Sequence, residues 1–219
     1  MAISYTKVNS QLVSELSPRT KNILVERFGL QSGKPRTLDS IGRKQGITRE
    51  RVRQIVEDGL SLMRSRIQED PKKHAVSDVF THFSQTLQGA GSVKREDLLL
   101  DALGANQEAP QVVFLLHIGD QFINQRETVD FHPFWASKRE YVDSAPELHR
   151  SVQSHLKKQK QAVSFEDLKK AYVGKEIGSN GVKIPLSTFS SFLETSKHIM
   201  QGYDRNWGLK EWAEVNPKG

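Results

Sequence analysis

Residues 46–56 read GITRERVRQIV, and this stretch decides how the first third of the chain folds. Gly46 interrupts the run before it. Thr48 offers a side-chain oxygen to the free N–H groups that open a helix. Val52, Ile55, Val56, Leu60, Met63 and Ile67 then recur as one stripe at a period near that of a helix. Among them stand Arg49, Glu50, Arg51, Arg53 and Gln54. At about 100° per residue, Arg49, Glu50, Arg53 and Gln54 share the face opposite Val52, Ile55 and Gly59, and Arg51 lies at its flank.

Upstream, Ser17-Pro18 is a helix start: serine caps, and proline fits the first turn, where its missing N–H costs nothing. Ile23, Leu24 and Phe28 give helical spacing, and Gly29 is a terminator. After the loop QSGKPR at 31–36, Thr37 caps a short helix, LDSIGRKQ, with Leu38 and Ile41 facing inward. That helix, the Gly46 turn and the helix after Thr48 make a helix-turn-helix. In DNA-binding members of this class the start of the second helix enters the major groove. There arginine pairs with guanine, glutamine with adenine, and glutamate accepts from cytosine N4. Arg51 suits a phosphate, and so do the free backbone N–H groups at Thr37 and Leu38. A merely solvated amphipathic helix is the competing reading. Glu50 favours base reading, because a carboxylate adds nothing to a purely electrostatic DNA binder.

The totals bound the rest. The chain has 219 residues, room for two or three small domains, and no cysteine, which excludes disulfides, thiolate metal sites and thiol nucleophiles. The absence of cysteine points to a reducing cytoplasm. The N-terminus, MAISYTKVNS, lacks the apolar core and cleavage site of a signal peptide. The longest apolar run, VVFLL at 112–116, is too short to span a bilayer, so no membrane partner is expected. Residues 1–70 hold 13 Lys/Arg against 8 Asp/Glu, five of the six net positive charges of the chain. A basic first domain beside nearly neutral later ones points to a polyanion partner for the first.

The segments LSPRTKNILVERFGL (16–30) and RTLDSIGRKQGITRERVRQIVEDGL (36–60) closely resemble the fourth conserved region of bacterial housekeeping sigma factors, over about residues 14–66. That region recognises the minus-35 promoter element and docks on the flap of the RNA polymerase beta subunit through an apolar surface. The resemblance implies that Arg49, Glu50 and Gln54 read bases and that Arg53 and Arg51 contact bases or backbone. It also places Arg27, Thr37 and Leu38 at the DNA backbone or its edge, with Thr48 capping the recognition helix among them. Two departures stand out. Gly59 replaces the alanine typical of the family, which weakens the helix by up to about 1 kcal/mol. No segment resembles the aromatic, basic helix that grips the minus-10 element, so a complete sigma factor is not implied.

Beyond residue 70 the chain repeats itself weakly. RSRIQEDPKK at 64–73 reads as a helix end and linker, with Pro71 stopping the helix. A helix near 75–88 and GSVKREDLLLDAL (91–103) correspond to a helix near 147–159 and QAVSFEDLKKAYV (161–173). Val93, Glu96, Asp97 and Leu98 align with Val163, Glu166, Asp167 and Leu168 at a constant offset. Each copy continues with a third helix, about 109–118 and 185–195, and ends in an aromatic β-like stretch, at 121–142 and 198–215. Three helices and a hairpin describe a winged helix. VSFEDLKKAYV and WGLKEW make residues 146–215 resemble the HARE-HTH winged helix of the RNA polymerase delta subunit. Two unrelated small domains are the competing reading. The third helices, APQVVFLLHIG and PLSTFSSFLETSK, hold one lysine and no arginine, which argues against DNA backbone contact. Val113, Phe114 and Leu116 cannot all face one small core, so that helix covers a protein partner or the two modules pack on each other.

No catalytic constellation stands out. The seven histidines are scattered (74, 82, 117, 132, 149, 155, 198) without metal spacing, and Glu96-Asp97 and Glu166-Asp167 suit the positive ends of helices. Gly174, Gly178 and Gly181 lie in a loop without strand-to-helix context. The expected architecture is therefore mainly α: a helix-turn-helix domain (1–70) followed by two small winged-helix domains (74–144 and 145–219). The expected function is a cytoplasmic, nucleoid-associated DNA-binding transcription protein, not an enzyme, with no catalytic residue, metal, cofactor or small-molecule substrate. Its partners are double-stranded DNA and the RNA polymerase core at the beta flap. The alternatives are a polymerase adaptor or sigma competitor with little DNA specificity, and the DNA-targeting part of a restriction or mobile-element system.

Overall fold

The computed structural model describes residues 4–70, 75–105, 107–177 and 181–217. Pro71, His74 and Gly178 lie outside the described residues. The described chain is mainly helical with small antiparallel sheets, and its packing forms two compact units. Unit 1 is Met1–Phe83 with Leu100–Asp120, and unit 2 is Ser84–Leu99 with Gln121–Gly219.

Unit 1 opens with a helix that the sequence reading did not anticipate. Helix α1 (Tyr5–Ser14) is capped by the Ser4 side chain, which accepts from Lys7 N. It buries Tyr5, Val8, Leu12 and Val13, a stripe at helical spacing. Helix α2 (Pro18–Phe28) starts on Ser17, whose Oγ accepts from Thr20 N at 3.3 Å, and buries Ile23 and Leu24. Helix α3 (Leu38–Gln45) starts on Thr37, and Gly46 closes it with φ of 64°, a left-handed conformation that glycine adopts without steric cost. Helix α4 (Arg49–Glu69) starts on Thr48 and buries Val52, Ile55, Val56, Gly59, Leu60 and Met63. Helices α3 and α4 are the expected helix-turn-helix, and α2 packs on both. Gly59 sits where α2 meets α4: a Cβ there would lie 2.8 Å from Thr20 Cγ2 and 2.9 Å from Leu24 Cδ1.

Helix α5 (Val76–Gly89) leads to strand β1 (Val93–Arg95) and helix α6 (Glu96–Ala102). Helix α7 (Ala109–Ile118) follows at the expected position and buries Val112, Phe114, Leu115, Leu116 and Ile118. Its cover comes from within the chain: α1, α2 and α4 pack against it inside unit 1.

In unit 2, strands β2 (Ile123–Gln125) and β3 (Phe134–Ala136) join β1 in a sheet of order β1-β3-β2. Helix α8 (Arg139–Gln159) begins eight residues before the expected 147 and takes up residues 139–142 of the stretch read as β-like. Pro146 lies inside it. The ring removes one helical hydrogen bond, but the buried stripe Tyr141, Val142, Ala145, Leu148 and Val152 holds the helix on both sides of it. Helix α9 (Phe165–Tyr172) is capped by Ser164. The stretch read as a glycine loop carries β4 (Glu176–Ile177), which pairs with β5 (Val182–Lys183) just after it. Helix α10 (Leu186–Thr195) and the hairpin β6 (Ile199–Gln201) with β7 (Trp207–Leu209) complete the chain.

Val93 pairs with Ala136 in the last strand of the first hairpin, and Val163 bridges to Trp207 in the last strand of the second. Helix α10 lies against β1, with Ser191 Oγ donating to Ala90 O and Lys94 paired to Glu194 at 2.8 Å. Gly91, at φ of 88°, permits this approach, since a Cβ there would fall 2.3 Å from the Ser187 carbonyl oxygen.

Candidate nucleic-acid interface

The first two turns of α4 carry the candidate site. Thr48 Oγ1 accepts from Arg51 N at 3.1 Å and fixes where the helix begins. That start fixes the phase of every residue after it. Val52, Ile55 and Val56 turn into the core, while Arg49, Glu50, Arg51, Arg53 and Gln54 are all exposed.

The exposed groups are linked. Arg53 Nε donates to both Glu50 carboxylate oxygens at 3.1 and 3.0 Å, and its Nη2 donates to Oε1 at 2.6 Å. Its Nη1 donates to Glu57. Arg53 is thus held between carboxylates one turn before and one turn after it. This bond to Arg53 holds the Glu50 carboxyl below its ordinary range, with the charge of Arg49 adding to the effect. The two carboxylates raise Arg53 further above its already high value. Arg51 Nη1 donates to Gln54 Oε1 at 3.1 Å, which aligns that amide along the helix.

The other candidates lie on neighbouring elements. Thr37 Oγ1 accepts from Ser40 N at 3.2 Å at the start of α3, beside the half-buried Leu38. Arg27, in the last turn of α2, donates through Nη1 to Arg36 O at 3.0 Å, which ties it to the segment just before Thr37. Glu26 pairs with Arg36 at 3.6 Å and with Lys44. Sequence reasoning passed over this carboxylate and over Glu57. The i, i+4 spacing from Arg53 was the available signal for Glu57. The pairing of Glu26 with Arg36 and Lys44 depends on tertiary packing and left no local signal.

This geometry defines a class: a helix-turn-helix domain with a polar, hydrogen-bonded exposed face on its second helix. Residues 12–65 match the family described as Sigma-70, region 4, so this segment is a region 4 domain. Over 49 residues the chain is 45% identical to the RNA polymerase principal sigma factor HrdD of Streptomyces coelicolor, covering 22% of this chain and 15% of that protein. Over 55 residues it is 44% identical to the principal sigma factor HrdC of the same organism, covering 25% and 16%. Over 53 residues it is 45% identical to the RNA polymerase sigma-B factor of Nostoc sp., covering 24% and 16%. The chain therefore spans about one sixth of the length of the curated relatives it matches. Among the described residues, no helix is long and apolar enough to cross a membrane.

Proposed function

We propose that the chain is a non-enzymatic DNA-binding transcription protein that reads a minus-35-type duplex element with the start of α4. One observation carries the reading: Arg49, Glu50, Arg51, Arg53 and Gln54 are all solvent-facing on a helix start fixed by the Thr48 cap. Their chemistry covers guanine, cytosine and adenine edges. Arg27, Thr37 and Leu38 position the duplex through its backbone. Residues 145–219 form a winged helix of HARE-HTH type that holds protein. In support, α10 buries Phe189, Phe192 and Leu193 and lies against β1 rather than presenting cations to a phosphate backbone. The sigma factors among its relatives make RNA polymerase core, at the beta flap, the natural protein partner, and the cytoplasmic nucleoid the site of action.

The test is fluorescence anisotropy with duplexes that contain or lack a minus-35-like hexamer, across a salt series. Hexamer preference with affinity falling steeply as salt rises supports the reading. Weak, hexamer-blind binding overturns it. One observation favours the second reading, a polymerase adaptor with little DNA specificity: Arg53, one of the three arginines on the face, is already paired with Glu50 and Glu57. Pull-down of the polymerase core together with hexamer-blind binding supports that alternative.

A further inference from the structure

We infer that Glu26 is a positioning residue for the DNA backbone: its carboxylate, set back from the duplex, holds Arg36 and Lys44 where they take phosphates beside α3. The inference rests on the proposed reading of a duplex by this domain. It adds to that reading a second, sequence-independent contact.

Glu26 stands where a carboxylate is unfavourable. It lies in the last turn of α2, and the C-terminal end of a helix disfavours negative charge. Only 17% of its side chain is exposed. Its Oε2 is buried without a hydrogen bond and has only the ion pair to Arg36 Nη1 at 3.6 Å, which is longer than a hydrogen bond. Buried ion pairs add little to stability, and an apolar side chain in their place often serves as well. Stability alone therefore gives no reason for an acid here.

What the carboxylate does is gather two cations from the two ends of α3. Arg36 directly precedes the Thr37 cap, and Lys44 lies in the last turn. Lys44 Nζ donates to Glu26 Oε1, and Arg36 faces the other oxygen. The main chain fixes Arg36 further: its N donates to Glu26 O at 3.0 Å, and its O accepts from Arg27 Nη1 at 3.0 Å. Yet both cations stay at the surface, with 51% of the Arg36 side chain and 53% of the Lys44 side chain exposed. A guanidinium and an ammonium each carry several N–H donors, so one shared carboxylate leaves both able to bind a phosphate. The trio keeps a net positive charge, and Arg36 adjoins Thr37 and Leu38, the residues proposed to meet the backbone. Glu57 is the opposite case: it is exposed and takes Arg53, a cation that Glu50 already holds.

The experiment is the anisotropy titration with the full chain, duplexes that contain or lack the hexamer, and a salt series. By charge alone, removing an acid near phosphates raises affinity, as expected for Glu57→Ala. Glu26→Gln should do the reverse. Affinity for both duplexes should fall by about threefold or more, with hexamer preference kept and the salt slope shallower by about one to two units. Glu26→Leu should do the same, and both variants should melt at the temperature of the native chain. Arg36→Ala combined with Lys44→Ala should bind as weakly with Glu26→Gln as without it, since the acid acts only through these cations. Raised or unchanged affinity in Glu26→Gln, or a further loss when it joins the two alanines, overturns the inference. So does a loss of affinity matched by a lower melting temperature in both Glu26 variants, which makes Glu26 a structural staple. Binding by the native chain that does not vary with salt overturns the duplex reading itself, and the inference with it.

Discussion

Arg53 and Glu50 face each other one turn apart on the exposed side of α4, joined through Nε at 3.0–3.1 Å and Nη2 at 2.6 Å. On the proposed function, the pair sets the charge of this face against its capacity to read bases. Glu57→Ala removes the outer clamp and should raise affinity for all duplexes while keeping hexamer preference. Glu50→Ala should also raise general affinity and steepen the salt dependence, but should lose discrimination at one base pair. Arg49→Ala should cost roughly 1–3 kcal/mol on the preferred duplex and relax preference. Anisotropy titrations over a salt series check all three. Unchanged binding of every duplex by Arg49→Ala removes α4 from the role of reader.

The Thr48 cap fixes the phase of the exposed polar face of α4. Thr48→Ala leaves Arg51 N without its partner and should destabilise by about 1 kcal/mol, whereas Thr48→Ser should be nearly neutral. In a domain the size of unit 1 that is a fall of about 4–8 °C in Tm. Equal melting of the two variants in calorimetry would show that the cap does not hold the helix start.

Gly59 tests packing against propensity. Alanine gains about 1 kcal/mol in an exposed helix. Here its methyl would press on Thr20 Cγ2 and on the fully buried Leu24, and overpacking of a core costs about 1–3 kcal/mol. Gly59→Ala should therefore fail to raise Tm. A rise of several degrees would mean that α2 moves aside freely.

His149 should make stability depend on acid. Burial lowers its pKa from 6.5 to about 4, and Phe192 O, 2.8 Å from Nε2, opposes that only in part. The folded state thus holds the neutral ring, while the unfolded chain takes up a proton below about pH 6.5. The stabilisation is complete above pH 6.5 and is lost as pH falls from there toward 4, with a slope of up to about 1.4 kcal/mol per pH unit. Urea midpoints measured between pH 7 and 4 should decline more steeply for the native chain than for His149→Gln. Parallel curves would assign the acid loss to other groups.

Much of unit 1 was legible because its signals are local. Ser17-Pro18, Thr37, Gly46 and Thr48 each act on the backbone within a turn of themselves, and the stripe from Val52 to Met63 needs only helical periodicity. The same locality gave the exposed set Arg49, Glu50, Arg51, Arg53 and Gln54. Where distant packing decides, the reading fell short. The helix expected near 147–159 starts at Arg139 and runs through Pro146, because buried residues on both sides outweigh one lost hydrogen bond. Helix α1 was missed because its apolar residues are few. Their value lies in what covers them: Tyr5 lies against Phe83, with ring centroids 5.6 Å apart, and Asn9 bonds to Gln111.

The sequence by itself determined the helix-turn-helix, its caps and the chemistry of its outward face, since these follow from neighbours three and four residues apart. Only the tertiary structure decided what covers α7. A helix apolar on all sides specifies that it must be buried but not against what, because the hydrophobic effect has no direction. The choice of α1, α2 and α4 rests on contacts between residues 53 to 102 positions apart, such as Arg64 with His117 and Thr6 with Glu108, and no local pattern encodes those.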